Sequence, residues 1–160
     1  MHVDYMEVIR KRYENLGYQA YRWFVADDDA PWTPLEKRLH ECKLGLLSTS
    51  GAYALGQVAY HYKDDSTIRE IPSNTQNDDL RFSHITENYL VNPRKDPNCI
   101  LPTETLHTLV QKKVIKSLAN TVFSCMGGTY SQRRVKTEIA PEILKNFKRQ
   151  DIDCALLVAM

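Results

Sequence analysis

Two groups of small residues follow apolar runs of the sequence and could bind a ligand. After Leu44–Leu47, hydroxyl and backbone N–H groups could hold a carboxylate, as loops between strands and helices do. After Val122–Ser124, two consecutive glycines permit a positive φ or the close approach of a ligand. A capped turn and a plain turn are the structural alternatives. The candidate substrate-binding residues are Ser48, Thr49, Ser50, Gly51, Met126, Gly127, Gly128 and Tyr130.

His84 ends a third apolar run and could orient a carboxylate or move a proton, since its charge changes near neutral pH. A hydrogen-bonded structural histidine is the alternative. A hydrolase built on Ser50 and His84 is disfavoured because the chain has no G-x-S-x-G nucleophile motif. No G-x-G-x-x-G follows the first run, which disfavours a dinucleotide site. The acids Asp64, Asp65 and Asp78 lack the spacing of a metal site and suit solvated loops better.

The four cysteines, Cys42, Cys99, Cys125 and Cys154, form no C-x-x-C pair. The sequence therefore contains neither a zinc ribbon nor a dithiol redox motif. Free cysteine is among the most frequently buried residues, so each is interpreted as a small apolar side chain. No metal or other cofactor is expected on this chain.

The elements that must position these residues alternate between strands and helices. Strands are predicted near residues 44–47, 80–85, 115–126 and 152–160, the last as a central parallel strand. Helices are predicted from Asp4 to Leu16, from a Thr103 cap, and over 131–149 with a break at Pro141. The pattern predicts an α/β fold with a parallel, doubly wound, flavodoxin-like three-layer sheet. We expect a helical and aromatic extension over 1–40, which includes Tyr18, Tyr21, Trp23 and Phe24, and an α/β domain over 41–160.

The charge balance excludes some classes of partner. The chain has 21 Lys and Arg against 20 Asp and Glu, so no strong field attracts nucleic acid or an anionic membrane. The apolar runs are far shorter than the roughly 20 residues of a membrane span. The first residues, from Met1 to Tyr5 onwards, show no basic segment followed by an apolar run and a cleavage site, so a cytoplasmic location is predicted.

An ordered succession of segments resembles a known family. The segments are Lys43 to Tyr53, Arg69 to Pro72, Phe82 to His84, Asp96 to Pro102, Ser124 to Gly128 and the final run Ile152 to Met160. Together they resemble the substrate-specific B subunit (selenoprotein B) of the glycine, sarcosine, betaine and D-proline reductases, over about Leu44 to Met160. In that family the last strand is followed by a U-x-x-C element, where U is selenocysteine, or by its cysteine counterpart. The resemblance therefore places the catalytic residue immediately after Met160, and His84, from its place at the end of a run, is the candidate auxiliary residue.

The resemblance implies reductive cleavage of a C–N bond in a small amine or amino acid. It implies a pyruvoyl-bearing partner subunit, a small selenoprotein A that receives the product, and a selenolate that is ionised at neutral pH, unlike a thiol. We expect the 160 residues alone to lack the nucleophile, and termination at an unrecoded UGA codon would explain this. A non-catalytic binding or assembly module is the alternative. The apolar final strand also predicts self-association. With the implied partner subunits, we expect a homo- or hetero-oligomer.

Overall fold

The computed structural model describes residues 4–20 and 25–160. The described residues up to Pro34 form one compact unit, and Leu35–Met160 form a second. In the first unit, helix α1 spans Tyr5–Asn15, and the Asp4 carboxylate caps it by accepting the N–H of Glu7 at 3.2 Å. This confirms the helix predicted from residue 4. The predicted aromatic residues Tyr21, Trp23 and Phe24 lie outside the described residues.

Five strands of the second unit form the main sheet around β1. The seven strands are β1 Lys43–Ser48, β2 Ala52–Ala54, β3 Arg69–Pro72, β4 Leu80–Phe82, β5 Ser117–Leu118, β6 Thr121–Ser124 and β7 Cys154–Val158. On one edge, β1 pairs in parallel first with β5 and then with β6; on its other edge, it pairs in parallel with β7. Strand β3 lies beyond β6 and is antiparallel to it. The sheet is therefore mostly parallel rather than entirely so.

Two of the predicted strands occupy a different position in the sheets from the one expected. The alternating run from Leu80 gives only the three-residue β4, which pairs with β2 in a separate antiparallel ladder. Alternation of this kind suits such a ladder, in which one face is less buried. The apolar run at β7 predicted a central strand, but β7 pairs only with β1 among the described residues.

The helices of the second unit cover the sheet. Helix α2 spans Thr103–Gln111, α3 spans Gln132–Arg134 and α4 spans Ala140–Arg149. The predicted Thr103 cap is wrong: Pro102 is the cap residue, and the Asn98 side chain accepts the N–H of Thr105 at 3.2 Å. The predicted division at Pro141 takes the form of a change in helix type: residues 132–149 stay helical, a π-helical turn over Val135–Ile139 joins α3 to α4, and Pro141 lies in the first turn of α4. Proline suits this position because the first N–H groups of a helix have no partner within it.

Apolar clusters lie on both faces of β1. Leu44 and Leu46 belong to a cluster that includes Leu106 of α2, whereas Leu47 packs on a cluster that includes Phe147 of α4. Successive side chains of a strand point to opposite faces, so α2 and α4 cover opposite sides of the sheet. The predicted α/β class is confirmed. Among residues 4–20 and 25–160, no helix has the length and apolar character needed to cross a bilayer.

Candidate functional site

Three parallel strands end at the same level of the sheet. Ser48 of β1 pairs in register with Ser124 of β6 on one side and with Val158 of β7 on the other. The residues that follow these strands therefore meet at one edge, where open α/β sheets bind their ligands.

The loop after β1 is tightly bonded to its neighbours. The N–H of Gly51 donates to the Cys125 carbonyl oxygen at 3.0 Å, and the Gly51 carbonyl accepts the N–H of Ser83 at 3.0 Å. The second bond extends the β2–β4 ladder by one step, because it lies directly beyond the Ala52–Phe82 pair. The ladder thus brings Ser83, and His84 after it, to the edge at which β1 and β6 end.

Thr49 holds the end of β7 through two bonds. Its N–H donates to the Val158 carbonyl oxygen at 2.9 Å, and its Oγ1 accepts the N–H of Met160 at 2.9 Å. At the start of the same strand, the Asp153 carboxylate accepts the N–H of Lys43 at 2.8 Å, and Lys37 holds the pKa of Asp153 below its ordinary value through a hydrogen bond. Strand β7 is therefore held on β1 at both of its ends.

Gly127 lies against the end of β7 with no room for a side chain. A Cβ atom at this position would lie 2.6 Å from the Thr49 carbonyl oxygen, 3.1 Å from that of Met160 and 3.4 Å from Nε2 of His84. These three residues therefore converge on Gly127. We call this place, formed by Thr49, His84, Gly127 and the backbone of Met160, the strand-end crevice.

The imidazole of His84 has a defined orientation at this crevice. Its Nδ1 accepts the N–H of Thr86 at 3.0 Å, and its ring packs on Tyr89 with the ring centroids 5.4 Å apart. A ring nitrogen that accepts a hydrogen bond carries no proton, so in the neutral ring the proton lies on Nε2. Nε2 is the atom that faces Gly127.

The other predicted residues differ in what their side chains do. The Ser48 hydroxyl donates to the Ile100 carbonyl oxygen at 2.6 Å and therefore serves the packing of that segment. The Ser50 hydroxyl is fully buried and has no hydrogen-bond partner among the described residues. Met126 is buried against this loop, forming a bridge with Ser50. Gly128 is buried beside Ile85. Tyr130 has an exposed side chain, and its N–H donates to Asp64 at 2.9 Å.

The sequence did not indicate the hydrogen bonds that hold the loop after β1 in place. Ser124 Oγ accepts the N–H of Ala52 at 2.8 Å, and the Ser124 carbonyl accepts the Tyr60 hydroxyl at 2.6 Å. Burial raises the pKa of Tyr60 well above its ordinary value, and the Arg69 guanidinium lies 4.2 Å from the centre of its ring. Tyr60 lies in a loop with no periodic pattern, so the sequence gives no signal of this contact.

Three thiols, those of Cys99, Cys125 and Cys154, are poorly suited to act as nucleophiles at neutral pH, because their pKa values are raised. Burial raises the pKa of Cys125 to about 11. Burial also raises the pKa of Cys154, with a smaller contribution from Cys42, and that of Cys99, with a smaller contribution from Asp96. Because the thiolate is the reactive form, Cys125 beside the crevice serves as a packed apolar side chain.

We expect Cys125 to resist alkylation in the folded protein. With a pKa near 11, only about one thiol in a thousand is ionised at pH 8, and the side chain is 4% exposed. Iodoacetamide labelling at pH 8, read by peptide mass spectrometry, should modify the exposed Cys99 first and Cys125 only after denaturant is added. Labelling of Cys125 at the rate of Cys99 in the native protein would contradict this assignment.

A groove of about 490 Å³ adjoins the crevice, since Thr49 and Gly127 are among its walls. Its other walls are mostly apolar side chains, among them Leu144 of α4 and Leu157 of β7. Among the described residues, no group of three or more His, Cys, Asp or Glu side chains could hold a metal ion. The apolar walls of the groove suit an organic ligand or a protein segment.

The fold and this site define an α/β protein that holds the end of a strand in a crevice of glycine, hydroxyl and imidazole groups. No family model and no solved structure matches the chain. D-proline reductase subunit gamma of Acetoanaerobium sticklandii is 32% identical over 144 residues, which are 89% of this chain and 59% of that protein. This similarity over most of the chain supports its membership in the proline/glycine reductase family. It spans 59% of the length of this curated relative.

Proposed function

We propose that this chain is the N-terminal part of a substrate-specific subunit of a proline- or glycine-type reductase, of the selenoprotein B kind. The observation that carries the proposal is the strand-end crevice, where Thr49 fixes the backbone of Met160 beside Gly127 and His84. In the family this place is followed by the redox-active residue. The relative's name, D-proline reductase subunit gamma, favours a cyclic or small amino acid as the substrate.

The residues of the crevice fit a reactive group carried just beyond Met160. A selenol or thiol there supplies a nucleophile for reductive cleavage of the substrate C–N bond. The lack of a side chain on Gly127 lets the Thr49 and Met160 carbonyl oxygens approach its backbone closely, and the two Thr49 bonds fix the direction in which the backbone leaves β7. Positioning of this kind is worth a large part of a reaction barrier, because reacting groups must meet in a narrow range of geometry.

The loop after β1 is the proposed site for the substrate carboxylate. Ser50 carries a buried hydroxyl with no partner among the described residues, and such a group is stabilised when a ligand supplies the missing bond. Gly51, Met126, Gly128 and the nearby Tyr130 complete the proposed walls. Their part in substrate binding stays a prediction.

The proposal extends to partners and location. We infer a pyruvoyl-bearing subunit that holds the substrate and a small selenoprotein A that accepts the product, both within a cytoplasmic complex. We also infer that the complete protein extends the two faces of the sheet into a flavodoxin-like three-layer domain. The observed coverage of β1 by α2 on one face and α4 on the other supports this inference.

The test compares two substitutions of Thr49 in the full-length protein reconstituted with its partner subunits. Dithiol-dependent reduction is measured with D-proline, glycine, sarcosine and betaine. Thr49→Val removes the hydroxyl that accepts the Met160 N–H, and should lower turnover of the preferred substrate roughly 10- to 100-fold, as small misplacements of a reacting group do. Thr49→Ser keeps the hydroxyl and should retain most of the activity. Reduction of none of the four substrates, or full activity of Thr49→Val, would contradict the proposal.

A non-catalytic binding or assembly module is the second candidate. It is favoured by β7, whose Leu157 is 66% exposed on a strand that pairs only with β1 among the described residues. A thermal-shift screen with the same four compounds, with and without the partner subunits, separates the two functions. Stabilisation by a partner alone, with no response to any small molecule, would favour assembly.

A further inference from the structure

We propose that a cavity between helix α4 and strand β3 binds the ammonium group of a small primary amine. The cavity has a volume of about 390 Å³, which lies within the range of small-molecule sites. None of the described residues that line it also lines the groove beside the strand-end crevice, so the proposal is independent of the reductase function. The polar walls of the cavity are Ser66, Thr67, Glu70, Glu138, Glu142 and Asn146.

The side chain of Asn146 is the observation that points to a ligand. It is 2% exposed, and its Oδ1 atom is buried with no hydrogen-bond partner among the described residues. Its Nδ2 group donates to the Glu142 carboxylate at 3.3 Å, and turning the amide over would place Oδ1 against that carboxylate, which only accepts. Oδ1 is therefore left without a donor. A buried acceptor of this kind is unfavourable, and a bound N–H group would satisfy it.

Three carboxylates give the same cavity a negative charge. Glu138 and Glu142 precede Asn146 at intervals of four residues, so these side chains share one face of the helical segment. Glu70 of β3 adds the third carboxylate, and none of the described walls is basic. The Ser66 hydroxyl donates to Glu138 at 2.7 Å and holds the pKa of that carboxyl below its ordinary value. Like charges four residues apart repel each other, and a cation bound beside them offsets that repulsion.

Basic side chains outside the cavity leave this charge available to a ligand. The pairs are Arg149 with Glu70 at 3.1 Å, Arg133 with Glu138 at 3.4 Å and Lys145 with Glu142 at 3.4 Å. Both side chains of each pair are open to solvent, and ion pairs of this kind contribute little. A primary ammonium group carries the charge that the carboxylates attract and three N–H donors, one of which can bond Oδ1 of Asn146.

The first test is a thermal-shift measurement on the chain in chloride salts of ethylammonium, tetramethylammonium, magnesium and sodium at equal ionic strength. Tetramethylammonium has the charge of ethylammonium but no N–H group, so it cannot donate to Asn146. With ethylammonium about tenfold above its Kd, the Tm should rise about 3–6 °C above the value in sodium chloride. Tetramethylammonium should give no such rise. An equal response to both ammonium ions, no response to ethylammonium, or a rise with magnesium alone would overturn the proposal.

Glu142→Gln tests the contribution of charge. The glutamine keeps an acceptor for Nδ2 of Asn146 but removes one negative charge, so the Kd for ethylammonium, obtained from Tm across a titration, should rise roughly twofold to tenfold. Glu87→Gln is the matched control, since this carboxylate is also paired with a basic side chain, Arg94, but does not line the cavity. Its Kd should equal that of the parent. A Kd unchanged in Glu142→Gln, or raised equally in both variants, would contradict the proposal.

Asn146→Leu tests whether the acceptor without a donor belongs to a ligand site. Leucine has a similar volume and no polar atom, so without amine the Tm should stay at the parent value or rise, because an unsatisfied buried group is lost. The difference between the two ammonium ions should disappear in this variant. A persistent difference would overturn the proposal, as would a lower Tm without amine, which would show that the fold itself satisfies Asn146. If the variant does not fold, the comparison of Glu142→Gln with Glu87→Gln decides.

Discussion

Replacing Gly51 by alanine is expected to lower the free energy of unfolding by about 3 kcal/mol or more. Gly51 has φ +62°, a conformation that disfavours any residue with a Cβ. The added Cβ would also lie 1.9 Å from the Ser83 carbonyl oxygen, a backbone atom that cannot move without breaking the ladder between β2 and β4. Urea unfolding followed by circular dichroism measures the change.

Gly56→Ala is the matched control for this substitution. Gly56 also has a positive φ, +91°, but nothing lies within 4 Å of its Cβ position. Its substitution therefore carries the conformational cost alone, about 1–2 kcal/mol. Equal losses of unfolding free energy in the two variants would show that the clash between the new Cβ and the Ser83 carbonyl oxygen contributes nothing. The loop after β1 would then not be held against Ser83.

Replacing Gly127 by alanine is expected to displace the end of β7 from the crevice. The new Cβ would lie 2.6 Å from the Thr49 carbonyl oxygen and 3.1 Å from that of Met160, so one of these backbone segments must move. The expected loss is about 1–3 kcal/mol of unfolding free energy, as for other overpacked sites. The Met160 N–H should also exchange faster with deuterium, because its bond to Thr49 is weakened.

The neighbouring glycine provides the control. A Cβ on Gly128 would meet only the side chain of Ile85, with Cγ2 at 2.9 Å and Cβ at 3.5 Å, and Ile85 is partly exposed and can change its rotamer. Gly128→Ala should therefore cost less than about 1 kcal/mol and leave the exchange of the Met160 N–H unchanged. Protection of Met160 that survives Gly127→Ala would contradict the role given to Gly127.

Local patterns were sufficient to predict much of the fold. The Asp4 cap and the apolar run of β1 are encoded within a few residues, and each has its predicted place. The position of β7 in the sheet could not be predicted. An apolar run indicates a buried strand, but it does not indicate which strands pair with it. The antiparallel direction of β3 depends on contacts between residues about fifty positions apart, such as Arg69 and Ser124.

The sequence predicted which residues form the candidate site, but it did not predict the hydrogen bonds between them. Small residues after strands indicated the loops at Ser48–Gly51 and Met126–Gly128, and the structure brings these loops together. Nothing in the sequence indicates that Thr49 would bond β7 or that Thr86 would set the tautomer of His84. Such contacts depend on atomic positions to within a few tenths of an ångström, and the spacing of residues along the sequence does not determine those positions.

The pairing of β1 also has a consequence for the order in which the protein folds during synthesis. Lys43, at the start of β1, bonds Asp153, 110 residues later in the chain. Contacts of such long sequence separation form slowly, since the intervening chain must first be closed into a loop. On the ribosome, β1 can pair with β5 and β6 well before β7 has emerged. The strand-end crevice is therefore the last part of the sheet to be assembled, and its formation reports that the chain has been translated at least as far as Met160.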